Sequence, residues 1–426
     1  MDTDIIIVGA GAAGLMAGRE LAKKGYKIIL LEARGHIGGR IYTFKENEFP
    51  VKAETGAEFI HGNLETTLNL LNEGGISYSI ARGKMFRVKN GKIKKDNESM
   101  EYWREVERQL NDLKEDITVD AFIDKFFSGT QYLTISNSIK GFVEGFDSAE
   151  TKFASTFAFK REWLGNGEED QYRVEGGYSK LVQFLADEIN KNAGTIFLSQ
   201  VAKEINWSNN NVIITTNNNE KHKAKKVIIT VPPPILLNEG AGQIRFVPPI
   251  DNKINAIQQL GFGEVIKILL YFKGPFWEEH QLKLRKMGFL FTEEQIPTWW
   301  TQHPEHSGLL TGWLAGPKAA AIKNEPDEKI MQLAILSLTN TFEFSESYIQ
   351  DQLLDKKICN WSNDPFTMGA YAYETLTSKN ARNILMEPVE ATIYFAGDAL
   401  YNGDSMGTVE AALVSGKNVA EKVEQG

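Results

Sequence analysis

The sequence predicts an α/β fold, α+β overall, whose main sheet is assembled from separated stretches of the chain. Three observations carry that prediction. Met1 to Arg40 runs strand, glycine turn, helix, strand and acid. A β-rich block over residues 195–231 returns to that style after a long helical, aromatic stretch. The C-terminal part from Ala391 again gives strand, glycine loop and helix.

In the opening unit the apolar run Asp4 to Val8 leads into Gly9-Ala10-Gly11-Ala12-Ala13-Gly14. Leu15, Met16, Leu21 and Ala22 then keep helical spacing, and Lys27 to Leu31 ends at Glu32. This is a full dinucleotide-binding βαβ pattern. Gly9 permits the tight turn, Gly11 lets the backbone approach a pyrophosphate, and Gly14 lets helix and strand pack closely. The helix N-terminus offers N–H groups and a positive dipole end to phosphate. Glu32 is placed to accept from both hydroxyls of an adenosine ribose. A glycine-rich loop in an ordinary α/β domain would explain the glycines but not the framing strands and acid. At this point NAD and FAD fit equally well.

The chain has 426 residues, enough for two domains, and ordinary contents of apolar (42%) and charged (24%) residues. Its net charge of −9 and lack of a basic stripe exclude nucleic acid as an expected partner. With Cys359 as the single cysteine, neither an intramolecular disulfide nor a cysteine metal cluster can form, and no metal site is expected. The apolar N-terminus lacks the basic flank of a signal peptide, and no apolar run is long enough to span a bilayer. The expectation is a soluble cytoplasmic protein with no membrane partner, monomeric or homodimeric.

After Glu32 come Ala33-Arg34 and then Gly38-Gly39-Arg40, a second glycine pair whose arginine suits a bidentate phosphate contact. The run Glu54-Thr55-Gly56-Ala57-Glu58-Phe59-Ile60-His61-Gly62-Asn63 is also glycine-punctuated. On composition alone, a structural role for His61 is the commoner outcome. Thr66 to Leu71 reads as a short helix, and Met85 to Lys95 as a hairpin turning at Asn90-Gly91. Met100, Trp103, Val106, Leu110 and Leu113 mark an amphipathic helix, and the pattern continues helical to about Trp163. A helix through Tyr178, Leu181, Leu185 and Ile189 precedes strands at Thr195–Leu198, Val201–Asn206, Val212–Thr216 and Lys226–Val231.

Gly261 to Phe272 reads as one strand that is apolar on both faces except at Lys267. Two roles compete there: a buried, site-forming lysine, or an edge-strand lysine guarding against aggregation. Phe289–Phe291, Thr298–Trp300 and Leu309–Leu314 read as further strands, Asp327 to Phe342 as a helix, and Trp361 to Pro365 as a turn leading to Gly369-Ala370-Tyr371. Ala391 to Ala396 is a strand. Gly397-Asp398 and a glycine loop follow, then a helix from about Thr408 that aims its positive end at an anion or reduced ring.

Four blocks, in order, resemble the flavin-containing amine oxidase family of monoamine oxidases, polyamine oxidases and flavin histone demethylases. They are the βαβ unit into Gly38-Gly39-Arg40, Gly263 to Lys267, Trp361 to Tyr371, and Phe395 to Asp398 with the last helix. The Gly56–Gly62 run is most similar to the polyamine-oxidase branch. The resemblance implies a Rossmann-type FAD-binding domain, discontinuous in sequence (1–80, 172–247 and 363–426). An inserted substrate domain of mixed sheet plus helices would occupy 81–171 and 248–362.

It further implies FAD, with Gly9, Gly11, Ala12, Ala13, Gly14, Ala33, Arg34, Gly38, Gly39 and Arg40 around the ADP moiety and Glu32 on its ribose. Val201 would contact adenine through its backbone, and Ala57, Glu58, Phe59 and Gly397 would add cofactor contacts. Asp398 would accept from the ribityl chain, Thr408 and Val409 would face the flavin pyrimidine edge, and Trp361 would pack on the ring system. Lys267 would hold a water near flavin N5. Tyr371 would wall an aromatic cage, with His61 and Thr408 also facing the substrate.

The implied reaction is hydride transfer from the carbon α to a neutral amine onto flavin N5. The resulting imine hydrolyses, and O2 reoxidises the flavin to give H2O2. Two departures stand out. Ala370 occupies the place where the monoamine-oxidase branch has its flavin-linking cysteine, so non-covalent FAD is expected. Thr408 or Gly407 stands where a second cage aromatic is usual, leaving the cage open on one side. Competing roles are an L-amino-acid oxidase, with Arg82, Arg161 or Arg173 as carboxylate anchor, a flavin desaturase or porphyrinogen-type oxidase, and an inactive flavoprotein scaffold.

Overall fold

The protein is described from a computed structural model covering residues 3–89, 91–96, 100–165, 170–237, 239–279 and 282–426, without the side chains of 100–102 and 165. Asn90 of the expected turn and the side chain of Met100 fall outside these residues.

The first strand, Thr3–Val8, lies between Ile28–Leu31 and Lys221–Ile229, parallel to both. Ile5, Ile6 and Ile7 are each buried, so the strand is a continuous apolar run, as a parallel strand covered on both faces must be. The sheet continues outward through Asn211–Thr216, Ala202–Ser208 and Arg245–Val247 on one side, and Thr195–Phe197 on the other. Lys221–Ile229 begins earlier than the sequence suggested. It is long enough to pair with Asn211–Thr216 at its start and with Ile393–Phe395 at its end. The C-terminal segment thereby joins the N-terminal sheet.

The helix Ala12–Lys23 covers one face and packs against the C-terminal helix Val409–Gln425. A Cβ on Gly416 would come within 2.3 Å of the Ala13 carbonyl, so glycine there sets how closely the two helices cross.

A seven-stranded sheet has the order Leu353–Asn360, Val265–Phe272, Leu309–Ala315, Thr298–Thr301, Met287–Phe291, Lys84–Lys89, Lys92–Lys95. The lysine strand is internal, antiparallel to Leu309–Ala315 on one side and to Leu353–Asn360 on the other. The edge-strand role for Lys267 is therefore ruled out. The segment expected as one strand from Gly261 is also divided: Gly261–Phe262 turns aside to pair with Ala372–Tyr373. Helices Met100–Asp112, Val119–Phe126, Leu133–Gly145 and Thr156–Gly165 form their own core around Val106, Phe122, Ile139 and Phe159. Among the described residues no helix is long and apolar enough to cross a membrane, and no cluster of His, Cys, Asp or Glu is arranged to hold a metal ion.

Candidate active site

At the N-terminal turn, Gly9 has φ +106°, and a Cβ there would lie 2.7 Å from Thr230 Oγ1. A Cβ on Gly14 would meet the Gly9 carbonyl at 2.0 Å and Thr230 Oγ1 at 2.8 Å, so glycine here lets the helix lie close to the residues that end the first strand and its neighbour. Gly11 differs: a Cβ on it meets nothing within 4 Å. It N-caps the helix without a side-chain cap, and the first turn carries no acid, leaving the helix amides open. The second glycine pair lies against this turn, with the Gly38 N–H donating to Ala10 O at 2.8 Å. Glu32 is buried and accepts from the Ala10 N–H at 2.8 Å and the Arg34 N–H at 2.9 Å. Its remaining lone pairs can serve a ribose. Val201 is nearby, but its N–H donates to Asn217 Oδ1 and its carbonyl accepts from the Asn217 N–H.

Both arginines of the following loop reach the far end of the chain. Arg34 binds both carboxylate oxygens of Asp364 and donates to Thr367 Oγ1 at 2.9 Å, between the rings of Trp361 and Phe366. Arg40 holds Asp398 at 2.6 and 3.1 Å and also donates to the Ala370 carbonyl. These charge-assisted pairs fix the turn beside Trp361 and the loop before the C-terminal helix against the dinucleotide end. Thr408 caps that helix, accepting from the Ala411 N–H at 3.2 Å and donating to Ser405 O at 2.6 Å.

Lys267 has a fully buried side chain, with Nζ 2.8 Å from Glu58 Oε2 and 3.2 Å from the Gly56 carbonyl. The other Glu58 oxygen accepts from Arg173 Nε at 3.0 Å and Gln302 Nε2 at 3.1 Å. Burial alone would raise the Glu58 carboxyl, but the charges of Lys267 and Arg173 outweigh it and hold the group down at about 2. Arg173 also donates to the Thr301 and His303 carbonyls, and its guanidinium lies 4.6 Å from the Phe59 ring centroid. Close by, Glu54 accepts from the Tyr178 N–H and Thr43 Oγ1, and burial pushes it up to about 7.

One cavity of about 1620 Å³ gathers these parts. Every residue expected to touch cofactor or substrate lines it except Gly14 and Lys267, and the candidate carboxylate anchors Arg82, Arg161 and Arg173 do not line it. The cavity-facing member of the ion pair is Glu58, with Lys267 behind it. Tyr371 is pinned through its backbone: the Gly263 N–H donates to Tyr371 O at 2.8 Å, and the Ala370 N–H to Gly263 O at 2.7 Å. Its hydroxyl donates to the Phe146 carbonyl. Trp361 Nε1 donates to Thr55 O at 2.7 Å. His61 faces the cavity 5.5 Å from the Phe146 ring, and burial lowers its pKa to about 4, which keeps it neutral. Five residues of the site were not foreseen: Gln302, Asp364, Glu54, Asp147 and Glu162. Asp364 and Glu54 stood in quoted runs, whereas nothing in the sequence flagged the others. Arg173 was foreseen only in another role.

With the cradle and the cavity placed, their relatives can be identified. The sequence matches the family of flavin containing amine oxidoreductases over residues 12–424, and the chain belongs to that family. It is 27% identical to lysine-specific histone demethylase 2 of Homo sapiens, covering 98% of this chain and 53% of that protein. It is 22% identical to the L-amino-acid oxidase of Pseudechis australis, covering 98% and 86% of the two chains. The chain spans about half the length of the demethylase it matches. In fold it is similar to putrescine oxidase bound to putrescine (TM-score 0.81, 18% identity) and to cyclohexylamine oxidase from Brevibacterium oxydans IH-35A (TM-score 0.79, 18% identity), each over 100% of both chains. The cofactor of this family is FAD. The open space before Gly11, the uncapped helix end and the Glu32 carboxylate fit its ADP half.

Proposed function

We infer that the chain catalyses FAD-dependent oxidation of an amine, small or polyamine, to an imine and then an aldehyde, with H2O2 as the second product. One observation carries this: a single cavity joins the dinucleotide cradle to a pocket walled by Tyr371, Phe59, His61 and Trp300. Residues 1–80, 172–247 and 363–426 form the FAD-binding part, and 81–171 with 248–362 the substrate part.

Bound there, FAD supplies the two-electron acceptor at N5 and the site at which O2 is reduced. The open amides after Gly11, with Gly38, Gly39 and Arg40, take the pyrophosphate, and Glu32 takes the ribose. Ala33, Arg34 and Val201 flank the adenosine end. Asp398 receives the ribityl hydroxyls, its charge balanced by Arg40. Thr408 and Val409 present the positive end of the last helix to the ring's pyrimidine edge, and Trp361 packs on the ring. Glu58, which faces the cavity and is backed by Lys267, would hold a water at the reacting edge of the ring. A neutral His61 and aromatic walls disfavour an ammonium at the reacting nitrogen, so the amine binds unprotonated and needs no general base. Tyr371 and the backbone that pins it align the amine with the ring.

The FAD is held non-covalently. Ala370 stands before Tyr371, and Cys359 lies in the strand paired with the lysine strand, where burial pushes its thiol up to about 12. Of the arginines considered as carboxylate anchors, Arg173 is committed to Glu58 and Arg161 to Glu374, which disfavours the amino-acid-oxidase role. Anaerobic titration of the holoenzyme with a panel of amines is the test, with bleaching of the oxidised flavin band expected. Bleaching by L-amino acids but by none of their decarboxylated analogues would overturn the reading. Acid precipitation should leave a colourless pellet and a yellow supernatant.

A further inference from the structure

The wall of the cavity opposite the dinucleotide cradle is formed by the helical segment, and it holds two carboxyl groups that the reaction itself does not use. Asp147 lies two residues past the end of the helix Leu133–Gly145, and Glu162 lies in Thr156–Gly165. Both line the cavity, and their side chains hydrogen-bond to one another. Two adjoining carboxyls can bond in this way only if one keeps a proton, so the pair carries a single negative charge. Glu162 Oε2 is buried and receives no N–H or O–H donor among the described residues. The cation acting on the pair, Arg161, is already held by Glu374 and lies 3.6 Å from Asp404. Arg104 and Lys318 also line the cavity, but neither forms an ion pair with the two acids among the described residues. The result is a half-buried negative charge, facing the cavity, without a matching cation among the described residues.

Aromatic rings surround it. Phe142 lies 5.3 Å from Phe146 and meets the Trp163 ring edge-on, also at 5.3 Å. Rings beside a carboxyl pair make a setting for an alkyl ammonium, which takes charge from the acids and contact from the π faces. The distance to the reaction centre is short. The Tyr371 hydroxyl donates to the carbonyl of Phe146, the residue immediately before Asp147.

We propose that Asp147 and Glu162 seat a second, remote cationic group of the substrate, so that the enzyme prefers diamines and polyamines over monoamines. This rests on the assignment of the cavity as an amine-oxidising site and specifies its substrate class. It also supplies what that site needs. An ammonium fixed at the acid pair repels a second positive charge on the same molecule, which favours the neutral form of the amine lying beside Tyr371.

The experiment compares kcat/KM for putrescine with that for n-pentylamine, its monoamine isostere, in wild type, Glu162→Gln, Asp147→Asn and the double variant. Wild type should favour putrescine by about thirty-fold or more, as expected for a desolvated charge pair, and because either acid alone can carry the single charge, the ratio should fall toward one only in the double variant. A ratio that stays unchanged in the double variant overturns the seat. If neither amine bleaches the flavin, the amine-oxidase assignment itself fails, and the seat is then judged by calorimetric titration of oxidised holoenzyme with putrescine. Binding at least about ten-fold weaker in the double variant supports it, and equal affinity overturns it.

Discussion

Glu58 and the Asp147–Glu162 pair face one cavity from different walls, and what separates them is the presence of a partner cation. Glu58 takes a lysine on one oxygen and an arginine and an amide on the other, which holds its carboxyl down at about 2 despite complete burial. Asp147 and Glu162 have chiefly each other: burial raises both, and Glu162 pushes Asp147 up further. The first centre is finished by the protein. The second is finished only when something positive enters the cavity. A buried carboxyl thus reports what the fold has assigned to it: a matched one is architecture and electrostatics, and an unmatched one is a binding place.

The largest effect expected from breaking the matched centre is in Lys267→Met. Removing the lysine leaves Glu58 buried with Arg173 and Gln302 alone, which should cost about 3–5 kcal/mol of stability. Turnover should fall by about a hundred-fold, in the half-reaction with amine, with O2 or in both. Adding Glu58→Gln removes the stranded charge. The double variant should recover most of the stability in a urea melt but not the rate in stopped-flow. If Lys267→Met unfolds like wild type, the ion pair is not the matched centre described here.

The pH dependence gives a smaller, signed effect. Glu58 has a folded value below its ordinary 4.5, so its contribution is complete above 4.5 and is lost as pH falls toward 2. Glu54 behaves in the opposite way. Its folded value near 7 lies above 4.5, so ionising it costs stability progressively as pH rises from 4.5 to 7, reaching about 3 kcal/mol. Glu54→Gln should match wild type at about pH 5 and exceed it by a growing margin toward about pH 8. Parallel stability curves for the two proteins would show that Glu54 ionises freely in the fold.

How far these centres were visible in the sequence follows from how local their determinants are. The βαβ unit was legible because its turn, helix and acid are set within one short stretch. Lys267 was legible as an anomaly, but its burial was not. That depends on the strand Leu353–Asn360, whose run Asp355-Lys356-Lys357 hides the alternation of a strand exposed along one face. The helix Ser378–Met386 was missed for a similar reason, since Lys379, Asn380 and Asn383 mask its buried face of Ala381, Arg382 and Leu385. Asp147 and Glu162 gave no signal at all. One lies just past the end of a helix and the other within the next, and only the tertiary packing turns two ordinary acids into a pair.

The smallest effect expected is the most discriminating for the comparison, and it comes from Asp147→Asn. Because the folded carboxyl lies well above its ordinary 3.8, the unfolded chain releases this proton first, and the native state loses stability as pH rises beyond that value. An amide cannot ionise, so the variant should be the more stable protein at neutral to alkaline pH, by about 1 kcal/mol, and indistinguishable in acid. The same kind of substitution at Glu58 should have the opposite sign, because an amide there strands Lys267. Removing an acid from the finished centre should weaken the fold, and removing one from the open centre should strengthen it while lowering selectivity for a second positive charge. Thermal melts of the two amide variants across pH would show it, and equal signs would erase the distinction between the two centres.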